Sequence, residues 1–92
     1  MSNSIPGAWT VFRFEITKDE MKVFNEALKG ITGASYYNPW AVATQVVKGV
    51  NYCFLSKGKG VYPHAIETAY LLHIYADVQG PPHITQIVEI KP

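Results

Sequence analysis

The chain has 92 residues, enough for one domain and too few for a second hydrophobic core. Hydrophobic residues make up 48% and aromatics 13%, so a packed domain is expected rather than disorder. A net charge of +1, with no basic cluster beyond Lys57 and Lys59, argues against nucleic acid as a partner, and no apolar run is long enough for a membrane span. Met1 to Ser4 is polar and uncharged, a loose leader rather than a signal peptide, and residues 1–8 are expected to be flexible. Ile5-Pro6-Gly7-Ala8 combines an apolar residue, a fixed φ and a hinge.

From Trp9 to Ile16 the chain alternates, with Phe12, Phe14 and Ile16 on one side and Arg13 and Glu15 on the other. That pattern predicts a first strand with one buried face. Thr17 with Glu20 is a capping-box pair, and Met21, Phe24, Leu28 and Ile31 recur at helical spacing. Gly30 and Gly33 stop the pattern, which predicts a helix over Lys18 to Lys29. Ala34 to Trp40 reads as a connector, because Pro39 sits among Ser, Tyr and Asn.

A second strand is expected to about Gln45 and a third from about Gly49 to Leu55, joined by a tight turn. Ser56 to Pro63 carries Gly58, Gly60 and Pro63 and reads as the most mobile connection. His64 to Val78 is expected to hold the longest strand. Gln79 to His83 is a turn, since its two prolines cannot donate to a sheet ladder, and Ile84 to Ile90 is the last strand. The expected fold is α+β: one helix wrapped by a curved antiparallel sheet of about five strands, in the order β-α-β-β-β-β, over one domain of residues 1–92.

The hairpin tip stands out. Gln45-Val46-Val47-Lys48-Gly49 is apolar except for Lys48, whereas a turn facing water gains nothing from valine. Followed by Asn51-Tyr52, it resembles the Gln-x-Val-x-Gly hairpin of the cystatins, protein inhibitors of papain-like cysteine proteases. Ile5-Pro6-Gly7 near the start, a helix before the hairpin, and a late Gly80-Pro81-Pro82-His83 turn follow in the family's order. The single cysteine, Cys53, makes the chain most similar to the disulfide-free stefin branch and fits a cytoplasmic protein, although a secreted chain already freed of its signal peptide would read the same.

The resemblance implies reversible, tight-binding inhibition by a wedge that fills the protease's active-site cleft. Its parts would be Ile5, Pro6, Gly7 and Ala8, the turn Gln45, Val46, Val47, Lys48 and Gly49, and the turn Gly80, Pro81, Pro82 and His83. In the family the first segment occupies substrate subsites, and its glycine turns the chain away from the nucleophile, a place matched by Gly7. The implied partner is a cathepsin-type protease. The implied state is a monomer able to exchange strands into a dimer by opening the first hairpin.

Residues that could carry chemistry have simpler readings. Cys53 lies mid-strand beside no charge, as a buried inert thiol would, and His64, His73 and His83 lack metal-ligand spacing. No carboxylate pair, nucleophile elbow or phosphate loop is present, so neither an enzyme nor a cofactor is expected. Two rivals remain. One is a non-inhibitory binding or scaffold domain of the same fold, with the valines as ordinary strand residues. The other is a small enzyme or ligand carrier, which would show a deep polar-lined pocket between helix and sheet.

Overall fold

A computed structural model describes residues 7–30, 35–60 and 64–91. Helix α1, Lys18–Leu28, begins as its sequence dictates. The Glu20 N–H donates to Thr17 Oγ1 (3.1 Å) and the Thr17 N–H donates to Glu20 Oε1 (2.9 Å), which closes the capping box. Arg13 adds an ion pair to the second oxygen of Glu20. At the other end Lys29 caps the helix, its N–H donating to the Glu26 carbonyl. The apolar stripe turns Phe24 and Ala27 fully inward, with Met21, Val23 and Leu28 beside them.

The stripe packs on an antiparallel sheet of four strands in the order β1 (Ser35–Val47), β2 (Gly49–Gly60), β3 (Thr68–Ala76) and β4 (His83–Ile90). Val42, Phe54, Leu72 and Ile74 supply the sheet side of the core, and the Phe24 and Phe54 rings meet edge to face at 4.9 Å. Each such buried side chain contributes roughly 1.5–3 kcal/mol, whereas an exposed ion pair such as Lys29–Glu26 contributes about 1 kcal/mol at most. The helix–sheet contact therefore holds the fold.

Several expectations are corrected. The described residues form four strands, not five, because Trp9 to Ile16 is not a strand. It runs along the outer edge of β1 and pairs only at two isolated bridges, Trp9 with Gln45 and Arg13 with Val42. The bridges lie four positions apart on one side and three on the other, so a regular ladder cannot form between them. Of the face expected to be buried only Ile16 packs against the core, whereas Phe14 is 69% and Phe12 38% exposed.

Of the stretch read as a connector, Ala34 to Trp40, Ala34 lies outside the described residues and Ser35 to Trp40 is the first half of β1, its proline accommodated where the register shifts between Pro39 and Ala41. β1 is thus the longest strand, at 13 residues against 9 for β3. Of the supposedly mobile Ser56 to Pro63, Ser56 to Gly60 continues β2, and residues 61–63 lie outside the described residues. Tyr37 and Tyr70 meet edge to face at 5.3 Å over Gly58, where a Cβ would lie 2.6 Å from Tyr70 and 2.7 Å from Tyr37. Here the glycine is a packing requirement rather than a break.

The face away from the helix is partly covered too. Ala41, Ala43 and Cys53 are buried there, and the cross-strand row Ala43–Cys53–His73 ends at an imidazole that meets the Trp9 ring, 6.2 Å between centroids. Small residues in that row leave room for an indole arriving from the edge of β1.

Candidate functional site

Antiparallel order places two turns at one rim. β1 ends and β2 begins there, at Val47, Lys48 and Gly49, and β3 ends and β4 begins there, from Asp77 to Pro82. Val47 and Gly49 are register partners, so Lys48 alone stands at the apex. Val46 is 58% and Val47 42% exposed, although both are β-branched strand formers whose neighbours Ala41 to Ala43 are buried.

The third segment reaches the same rim. The Gly7 N–H donates to the Val46 carbonyl (3.0 Å), and Gln45 Nε2 donates to the Gly7 carbonyl (2.8 Å). Gln45 is held in turn by Asn51, whose Nδ2 donates to Gln45 Oε1 (2.8 Å). One step further along, Thr10 and Thr44 exchange hydrogen bonds, Thr10 N–H to the Thr44 carbonyl (2.9 Å) and Thr44 N–H to Thr10 Oγ1 (3.0 Å). Gly7 has φ +85°, a left-handed value with open space around the Cβ position. Its conformation, not crowding, calls for glycine.

Tyr75 joins the two turns. Its hydroxyl donates to the Lys48 carbonyl and its ring meets His83 edge to face at 5.9 Å. Gly49 lies against the same residue: with φ +117°, its Cβ would fall 2.6 Å from the Ala76 carbonyl oxygen and 2.7 Å from the Tyr75 hydroxyl. The close approach that favours glycine at this turn is therefore already made within the chain.

The expected site residues thus gather at one end, with Ala8, Gly80, Pro81 and His83 exposed and Pro82 half-buried. Ile5 and Pro6 lie outside the described residues. Asn51, Thr10, Thr44 and Tyr75 had not been singled out as parts of the rim. Alternation puts Tyr75 on the sheet face of His73, but only the pairing of β2 with β3 brings it beneath the Lys48 turn.

The side chains at the rim that could carry chemistry are Lys48, Tyr75, Asp77 and His83, and the exposed carboxylate of Asp77 is engaged by the Val78 N–H (2.7 Å). Among the described residues no group of acidic, histidine or cysteine side chains is arranged to hold a metal. Below the rim, Cys53 Sγ lies 3.9 Å from His73 Nε2, but burial pushes the thiol's pKa above its ordinary value, opposite to what a nucleophile needs. A half-open groove of about 590 Å³ separates the Glu26–Gly30 end of the helix from Pro81–Ile84. It lies between the end of the helix and the second turn with the start of β4, and it is open to solvent along one side.

Compared with protein-family models, with curated proteins and with solved structures, the chain finds no match.

Proposed function

We infer that the chain is a cystatin-like inhibitor of papain-like cysteine proteases, and that it acts by seating this rim in the active-site cleft. The observation that carries the reading is the convergence of Gly7, the Gln45–Gly49 turn and the Gly80–His83 turn on one end, tied by the Gln45–Gly7 and Tyr75–Lys48 hydrogen bonds. Those ties make the rim stiff before any encounter, so little conformational entropy is lost on docking. Exposed Val46 and Val47 supply apolar contact with no charge to desolvate, and Lys48 at the apex keeps its ammonium in water.

The arrangement is compatible with the cystatin fold: a helix lies across an antiparallel sheet, and residues 7–13 occupy the place of an outer strand without its ladder. A protease–inhibitor contact buries about 1,600 Å² in total, within reach of a three-part wedge on a domain this size. Blocking the cleft by shape requires no reactive group from the inhibitor, and the complex is reversible.

A second reading has one observation in its favour. Gln45 and Asn51 find their hydrogen-bond partners, and Gly49 its close approach, inside the chain, as a non-inhibitory binding domain of this architecture would also require. Titrating papain or a cathepsin with the purified protein separates the two. Stoichiometric, reversible loss of peptidase activity is expected, weakened strongly by removal of the residues up to Gly7. A protease unaffected by excess folded protein rules the inhibitor reading out.

A further inference from the structure

The two edges of the sheet differ. Along β1, Gly7, Thr10 and Arg13 direct backbone hydrogen bonds to Val46, Thr44 and Val42. Outside β4 the described residues place no strand. An open edge is a row of unpaired N–H and C=O groups, usually blunted by lysine, proline or shortness. β4 has eight residues, no proline, no lysine and one carboxylate, Glu89.

Its one protective device is local. Ile84 pairs with Ile74 and Gln86 with His73, leaving Thr85 as the extra residue of a bulge, its hydroxyl donating to the His73 carbonyl (3.2 Å). Beyond it, Gln86–Ile90 pairs with His73 back to Ala69 without interruption. Along this regular stretch Gln86, Ile87, Glu89 and Ile90 are exposed, with Ile87 at 40% and Ile90 at 41%.

We propose that the Gln86–Ile90 edge pairs antiparallel with the same stretch of a second copy of this chain, about a twofold axis through Val88. Three features select a second copy over an unrelated strand. The regular stretch is bounded by the Thr85 bulge on one side and the strand end at Ile90 on the other, so it is centred on Val88 and self-pairing uses all of it. In that register Glu89 faces Ile87 of the other copy, whereas centring on Glu89 would set two carboxylates opposite each other. The apolar row Leu55–Leu71–Val88, on the face away from the helix, then continues across the axis into its own mirror sequence.

The contact is smaller than a standard interface, so the dimer is weak and exchanges rapidly. It also leaves the rim free: the paired stretch begins three residues beyond His83, and the proposal stands or falls independently of protease inhibition.

Sedimentation velocity from micromolar to millimolar protein tests it, together with the variants Val88→Lys and Val88→Glu, each checked for a native fold by amide dispersion. The wild-type chain is expected to show a concentration-dependent dimer that dissociates promptly on dilution. Either variant alone should weaken it by about tenfold or more through like charges on the axis, and an equimolar mixture should restore association. Amide exchange supplies a readout that needs no variant, because protection at Gln86–Ile90 should rise with protein concentration. A wild-type chain monomeric at millimolar concentration overturns the proposal. So does concentration-independent protection of this edge, or a dimer that forms only on heating and survives dilution, as strand exchange through the first hairpin would.

Discussion

The indole of Trp9 meets the imidazole of His73 edge to face, 83° between planes, although one belongs to the segment outside β1 and the other to β3. Only the narrow row of Ala43 and Cys53 separates their backbones. Trp9 thereby anchors the segment that carries Gly7 to the rim. Trp9→Ala should cost about 1 kcal/mol and open Cys53 to solvent. The rate of thiol alkylation at fixed pH is expected to rise about tenfold, as the buried, protonated thiol becomes an ordinary one. An unchanged alkylation rate would mean that the indole does not shield the cysteine.

Gln45→Ala removes the donor to the Gly7 carbonyl and strands the amide of Asn51. The core is untouched, so global stability should fall by about 1 kcal/mol or less. Limited proteolysis near Gly7 should quicken, and inhibition of papain should weaken by about tenfold through faster dissociation. Equal cleavage rates in variant and parent would show that Gln45 does not hold the segment.

Tyr75→Phe keeps the ring against His83 and deletes only the hydroxyl that reaches Lys48. The expected loss is about 0.5–1.5 kcal/mol in urea unfolding, with faster amide exchange confined to the Val47–Gly49 turn. Exchange that quickens uniformly along β3 instead would assign the hydroxyl a global role.

At Gly49 any side chain meets both a left-handed φ and the Ala76 carbonyl. Gly49→Ala should therefore destabilise by about 1–3 kcal/mol with no protease present. Gly49→Glu adds charge to the same strain, so its loss of inhibition would mix folding with docking. Removal of the residues up to Gly7, which leaves the helix–sheet core intact, is the cleaner variant. A Gly49→Ala chain as stable as the parent would contradict the packing described.

The carboxyl of Glu20 feels burial, which raises its pKa, but the Thr17 backbone hydrogen bond and then the Arg13 guanidinium outweigh it and hold the pKa below the ordinary 4.5. A lowered folded value means the contribution is complete above about pH 4.5 and disappears as pH falls through the folded value. Glu20→Gln should cost about 1 kcal/mol or less near neutrality, because Arg13 is substantially exposed, and nothing in strong acid. Thermal midpoints of the two chains should converge as the pH drops. A gap that stays constant would show that the ionised form of Glu20 does not carry the stabilisation.

Local chemistry was legible in the chain: the helix from its capping box and apolar stripe, the tight turn at Lys48, and the last strand from its alternation. These depend on residues within a few positions of one another. Long-range pairing decided the rest. Alternation from Trp9 to Ile16 carries no information about whether its two bridges to β1 share a register, and they do not. Pro39 and Gly58 are breakers by local rule, yet a register shift accommodates one, and the rings of Tyr37 and Tyr70, brought from two neighbouring strands, enclose the other. The rim divides the same way. Its exposed valines could be read from the turn, but the contacts of Gly7 with Gln45 and of Lys48 with Tyr75 join residues 38 and 27 positions apart. A hydrogen bond forms between whatever groups the fold brings within reach, and that distance is set in space, not along the chain.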